Sequence, residues 1–252
     1  MRDFKPKSNY LLILLIGVSL AVTGCKDQQQ PNPETLVNKS IVAHGMDKIY
    51  GKQLQFKFRD REYRLYRDSL TYVYTRITDD SIEDVLHSVE GFSRIVNGKP
   101  IRLADSMAVK YSSSVNSVLY FFQLPLVLND PAVKKEYLGT RIIKDSEYHT
   151  IKITFAQEGG GEDFEDEFRY WIHTGTLEID YLAYSYLTDG GGIRFREAFN
   201  KRRLADILLQ DYRNYKPPSL EISLDSLPAM FEKDKLELLS IIENTDVDFI
   251  NN

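Results

Sequence analysis

The sequence is poor in the residues on which most site chemistry depends: it has one cysteine, one tryptophan and four histidines in 252 residues. A single thiol makes neither an internal disulfide nor a multi-cysteine metal site. His44, His87, His149 and His173 are scattered, with no H-E-x-x-H and no i, i+4 pair to bring two onto one helix face. No G-x-S-x-G elbow surrounds a serine. Basic charge is not in surplus either: 32 Lys+Arg stand against 37 Asp+Glu, a net charge of −5, which excludes a nucleic-acid partner needing a clustered basic surface. The apolar run over residues 11–22 is shorter than the roughly 20 helical residues that span a bilayer. The sequence therefore nominates no catalytic residue, no metal site and no cofactor.

What is present begins with an address. Arg2, Lys5 and Lys7 precede the run LLILLIGVSLAV, which ends in small residues, the three-part layout of a secretory signal peptide. It closes on Val22-Thr23-Gly24-Cys25, which resembles the lipobox of bacterial lipoproteins, where cleavage precedes a diacylglycerol-bearing cysteine. The sole cysteine stands at that position. The chain divides accordingly into a lipoprotein signal peptide, 1–24, a lipidated Cys25 with its tether, 25–33, and a single β-rich domain, 34–252. Two or three acyl chains at roughly 0.8 kcal/mol per buried CH₂ make a stable anchor without a spanning helix. Cleavage leaves 29 Lys+Arg against 36 Asp+Glu, a charge suited to a body held off an anionic surface. Lys26 rather than Asp follows the cysteine, so the inner-membrane retention signal is absent and the expected location is the outer membrane of a bacterial envelope. Lys26-Asp27 also resembles a surface-export signal, which leaves the periplasmic and cell-surface faces both open.

Residues 34–50 place Leu36, Val37, Ile41, Met46 and Ile49 at near-helical spacing, with a Gly stop at Gly45. The period then becomes two. Leu54/Phe56/Phe58, Leu70/Tyr72/Tyr74, Ile151/Ile153/Phe155, Phe168/Tyr170/Ile172, Leu182/Tyr184/Tyr186, Ile193/Phe195 and Ile207/Leu209 alternate with polar residues. Turn signals at Asn97-Gly98, 159–161, Thr174-Gly175 and 190–192 separate the runs. Strands that follow one another in this way predict an antiparallel meander rather than βαβ units, and exclude a Schiff-base lyase on a (β/α)₈ barrel. Residues 104–122 read as a helix followed by an extended apolar loop broken by Pro125 and Pro131, and 236–242 is ambiguous between helix and strand. The fold class is α+β, β-rich: a curved antiparallel sheet, or incomplete β-barrel, with helices covering its concave face.

The lipobox, Ala43-His44-Gly45, the segment SVNSVLYFFQLPLVLNDPAVKKEYLG and the run from YHTIKITF through GGGIRFREAFNKR together resemble a family of Bacteroidota outer-envelope lipoproteins with no established activity. The layout is also similar to the lipoprotein-localisation fold, an incomplete β-barrel that holds acyl chains. That resemblance implies a pocket without naming its ligand.

A roofed concave sheet encloses either a ligand cavity or a solid aromatic core. The candidate pocket residues are Phe56, Phe58, Tyr72, Tyr74, Phe121, Phe122, Ile153, Phe155, Tyr170, Tyr184 and Phe195. Glu158, Glu162, Asp163, Glu165, Asp166 and Glu167 surround a Gly triplet in a spacing unlike a calcium loop; they read as a solvated hairpin pairing with Arg169, Arg194 or Arg196. The Gly triplets are turns, since neither leads from a strand into a helix. His44 stands at a helix C-terminus, where the dipole favours a cation. The leading expectation is a non-enzymatic, membrane-anchored lipoprotein binding a lipid or acyl chain such as palmitate. One alternative is an interaction module presenting Trp171, Tyr181 and Tyr184 to glycans or envelope proteins. The other is an enzyme of unrecognised type using His149 or His173 beside the acidic hairpin.

Overall fold

In the computed structural model residues 1–3, 30–79, 81–158 and 164–250 are described. Cys25, the first Gly triplet, Glu162 and Asp163 lie outside them.

Helix α1 (Pro33–His44) begins where Asn32 accepts from the backbone N–H groups of Glu34 and Thr35, with proline at its first position. It ends at Gly45, whose left-handed φ of 67° lets its N–H reach back to the carbonyls of Ile41 and Val42. A 3₁₀ turn, Met46–Ile49, leads into the first sheet. That sheet is a meander of β1 (Lys52–Phe58), β2 (Arg61–Arg67), β3 (Tyr72–Thr78), β4 (Ile82–His87), β5 (Gly91–Val96) and β6 (Lys99–Ile101). Asn97 and Gly98, at φ 50° and 74°, make the β5–β6 turn, as the Asn-Gly pair predicts. Leu70, expected in a strand, lies in the β2–β3 turn and is exposed.

Helix α2 (Asp105–Phe122) falls within a residue of the expected span. The segment after it is not extended: Leu126–Asn129 forms a 3₁₀ turn in which Leu126, Val127 and Leu128 are buried. The second sheet follows as β7 (Val133–Ile143), β8 (Ser146–Phe155), β9 (Glu167–His173), β10 (Ile179–Tyr186), β11 (Gly192–Leu204) and β12 (Ile207–Lys216). A short helix α3 (Leu227–Glu232) precedes β13 (Glu237–Ile242) and β14 (Asn244–Phe249), so the ambiguous segment is a strand.

Both sheets have seven antiparallel strands, in the orders β14-β1-β2-β3-β4-β5-β6 and β13-β12-β11-β10-β9-β8-β7. Only Glu243 separates β13, at the edge of the second sheet, from β14, at the edge of the first. The chain thus folds one sheet over the other at a seam, which gives the incomplete barrel. Between the sheets lies the main apolar cluster, which includes Leu54, Phe56, Leu65 and Tyr74 from the first sheet, Val115, Leu119 and Phe122 from α2, and Ile151, Tyr170, Leu182 and Leu209 from the second. A second cluster covers the opposite face of the second sheet, where Trp171, Tyr181, Ile193 and Phe195 are buried beneath Leu224, Leu227 and Phe231.

Candidate functional site

The space between the sheets is filled chiefly by α2, whose apolar residues recur at three- and four-residue spacing. Phe122 stacks on Phe56 at a centroid distance of 4.0 Å, and Phe121 lies 5.2 Å from Tyr184 and 6.3 Å from Phe168. The helix end is pinned by a buried network. Arg67 donates to Asp130 at 2.7 Å and to Tyr74 at 2.9 Å, and Gln123 donates to the same Tyr74 hydroxyl at 2.8 Å. Burial disfavours the Arg67 charge, but the bonds to Asp130 and Tyr74 outweigh it and raise its pKa. Burial also pushes up the phenols of Tyr120 and Tyr170, whose hydroxyls lie 3.4 Å apart.

Two small voids flank the helix end. One, of about 60 Å³, is bounded by Phe58, Val118, Phe121, Phe122, Arg196, Tyr212, Ile242 and Asn244. The other, of about 20 Å³, touches Phe121, Phe122, Tyr212 and Asn244 from the other side and adds His44, Arg202 and Gln210. A water occupies about 30 Å³ in the liquid, so neither void holds an acyl chain with α2 in this position. Arg196 is the charged wall of the larger one. Its guanidinium carbon sits 3.8 Å from the centre of the Phe121 ring, its Nη2 donates to Tyr184 at 2.7 Å, and its buried Nε has no partner. In the smaller void Gln210 donates to the Ile179 carbonyl and to Tyr212, while its Oε1 is unpartnered.

Of the expected pocket residues, Phe56, Tyr74, Phe122, Ile153 and Tyr170 are buried in the inner cluster, and Phe58, Tyr72, Phe121, Phe155 and Tyr184 pack against it. Of these, Phe58, Phe121 and Phe122 border the two voids described above. Phe195 needs correction: it lies in the outer cluster, in register with Ala183 of the same face. Strand alternation then turns its neighbour Arg196 inward. Arg196, Tyr212, Gln210 and Asn244 were not among the pocket residues expected from the sequence; an inward arginine in an alternating strand reads as part of its solvent face, and Asn244 lies in a strand with little apolar pattern. Trp171 and Tyr181 are buried beneath α3, at 0% and 6% exposure, so the glycan-stacking surface expected of them is absent.

The histidines have structural partners. His44 is no helix-capping cation: burial, with Lys201 and Arg203 nearby, lowers its pKa to about 3, and its neutral Nε2 accepts the Ile179 N–H at 3.0 Å. His87 and His173 each accept two backbone N–H groups in turns through Nδ1. His149 faces Tyr137 at 3.2 Å, its pKa lowered by burial. In the acidic hairpin Glu167 pairs with Arg169 and Lys152, whereas Arg194 and Arg196 donate to Tyr186 and Tyr184. Among the described residues no three His, Cys, Asp or Glu side chains are grouped to hold a metal ion, and no helix is long and apolar enough to cross a membrane.

A family profile described as DUF6503, a family of unknown function, matches residues 22–244. The chain belongs to the DUF6503 family. No curated protein sequence matches it. Among solved structures, this DUF6503 chain is similar to a DUF1329 family protein from Desulfovibrio piger, with a TM-score of 0.50 at 9% identity over 87% of this chain and 94% of that one. It also overlaps a domain from Vibrio parahaemolyticus described as an outer membrane lipoprotein-sorting protein, with a TM-score of 0.45 at 8% identity over 86% and 93%. A LolA superfamily protein from Nitrosomonas europaea gives a TM-score of 0.40 at 10% identity over 88% and 95%. At these identities the first likeness is one of fold.

Proposed function

We propose that this DUF6503 protein is an envelope lipoprotein, anchored through Cys25 at the outer membrane, that binds a hydrophobic ligand between its two sheets. The observation that carries the reading is the aromatic interior closed by one helix end: Phe121 and Phe122 fill the space against Phe56, Phe168 and Tyr184, with voids on both sides. An aliphatic ligand in that space would replace the contacts the rings make with the sheets, so the lining stays covered. Displacement would start at α2, where Phe121 is half-buried beside the larger void. The lipobox supplies the anchor, and the family match begins at Val22, its first residue.

Native mass spectrometry of residues 26–252, the span holding every helix and strand described, tests the ligand half of this reading. Lipid-mass adducts that diminish when Phe121 is replaced by Trp, a bulkier plug, are the expected result. A clean apo mass after exposure to total envelope lipid overturns it. The anchor is tested separately by metabolic labelling with alkynyl palmitate, which Cys25→Ser abolishes if Cys25 is the lipidated residue.

A further inference from the structure

Four arginines are buried in the described structure: Arg67, Arg76, Arg169 and Arg196. The first three each meet a carboxylate, Asp130, Asp84 and Asp225 respectively. Arg196 meets none within 4.0 Å among the described residues, though it is only 7% exposed. Its partners are the Tyr184 hydroxyl and the faces of Phe121 and Tyr184. Ring faces and one hydroxyl compensate a desolvated guanidinium only in part, and its Nε is left without an acceptor. Among the described residues, the buried arginine that meets no carboxylate is thus also the one that borders the larger void.

We propose that Arg196 is the anchor for the carboxylate head of a single-chain aliphatic ligand, a fatty acid in chemical class. The inference rests on the hydrophobic-ligand reading above and narrows it. A carboxylate offers two coplanar oxygens to the planar fork of a guanidinium, which supplies the missing counter-charge and an acceptor for Nε. The void of about 60 Å³ lies directly against Arg196, so a carboxylate placed there meets the guanidinium. Half-buried Phe58, Val118 and Ile242 line the void beside Asn244 and are placed to meet the first methylenes. The rest of the chain takes the space of Phe121 and Phe122 as they are displaced.

The test uses the full chain in phosphatidylcholine nanodiscs, labelled by a diazirine-bearing hexadecanoic acid. Labelling should fall on peptides containing Val118 or Phe58. Unlabelled hexadecanoate should compete about tenfold or more better than hexadecanol, the gain of one charge-assisted pair. Arg196→Met should remove that preference, bringing hexadecanoate level with hexadecanol, and Arg196→Lys should restore part of it. Equal competition by acid and alcohol on the unmodified protein overturns the carboxylate anchor and leaves the hydrophobic-ligand reading standing. Competition by butyrate as strong as by hexadecanoate overturns the aliphatic half of the proposal. Absence of specific labelling, with neither acid nor alcohol competing, overturns the reading on which it rests. The acid-to-alcohol comparison needs no variant, so misfolding of Arg196→Met leaves the proposal open to refutation.

Discussion

His44 shows how a single buried side chain makes this fold acid-sensitive. Its pKa falls from 6.5 to about 3 on folding, so between those values the unfolded chain binds a proton that the folded chain refuses. Stability from this group is complete above about pH 6.5 and is lost as pH falls toward 3, with a full span of roughly 5 kcal/mol. At pH 4.5 the loss should be roughly 2–3 kcal/mol, seen as a lower urea midpoint than at pH 7. His44→Gln, which keeps an acceptor for the Ile179 N–H, should lose much less between the two pH values; an equal loss would place the acid sensitivity elsewhere. Asp84 is buried as a charge rather than as a neutral group. It is fully buried and receives Arg76 at 2.6 Å and Arg94 at 2.6 Å, and although burial opposes its charge, the two arginines hold its pKa below the usual carboxylate range. Asp84→Ala leaves two guanidinium groups without their counter-charge and should cost about 3–5 kcal/mol in urea unfolding. Replacing the exposed Asp60, which meets only Arg61 at 3.9 Å, should cost less than about 0.5 kcal/mol.

Between elements, Gly45 is the joint that holds α1 against the second sheet. At φ 67° a Cβ there would meet the backbone carbonyl oxygen of Asp206, so neither the dihedral nor the space tolerates a side chain. Gly45→Ala should destabilise by about 2–4 kcal/mol, read as a lower Tm, whereas Gly51→Ala, also at positive φ but with open space around it, should cost only about 1 kcal/mol. Gly45 was legible in the sequence as a helix stop, and so were α1, α2, the period-two strands and the Asn-Gly turn, because each rests on local chemistry. The short strand β14 was not legible. Its segment NTDVDF carries only two apolar residues, and its place beside β1 depends on a partner almost two hundred residues distant in sequence. The phase of β11 was hidden for a related reason. The pattern I-R-F-R-E-A-F shows that Phe195 and Arg196 face opposite ways, but which face is inner is decided by residues 217–236, which fold beneath the second sheet and claim Phe195. An aromatic was therefore assigned to the cavity and an arginine to solvent, when the structure has them reversed.

At the scale of the whole molecule, the second sheet is a wall between two apolar compartments, and the two voids described above lie beside the inner one. The outer compartment is closed by α3: Phe195 lies 5.0 Å from Phe231 and 5.7 Å from Trp171, and no void borders it among those described. The inner one is closed by the end of α2, with Phe121 and Phe122 bordering both voids. This division separates stability from ligand retention. Phe195→Ala should cost about 3–5 kcal/mol and shift the emission of Trp171, the sole tryptophan, yet leave lipid adducts in native spectra unchanged in kind and proportion. Phe121→Ala removes a half-buried ring from the plug and should cost less stability, leave Trp171 emission where it is, and increase adduct occupancy, because the ligand no longer has to displace that ring. If Phe195→Ala altered ligand retention at temperatures where the fold is intact, the two compartments would be coupled through the wall. The packing argues against that coupling, since β8, β9, β10 and β11 divide their side chains between separate clusters, and Leu182 and Tyr184 share no cluster with Tyr181 and Ala183 on the same strand.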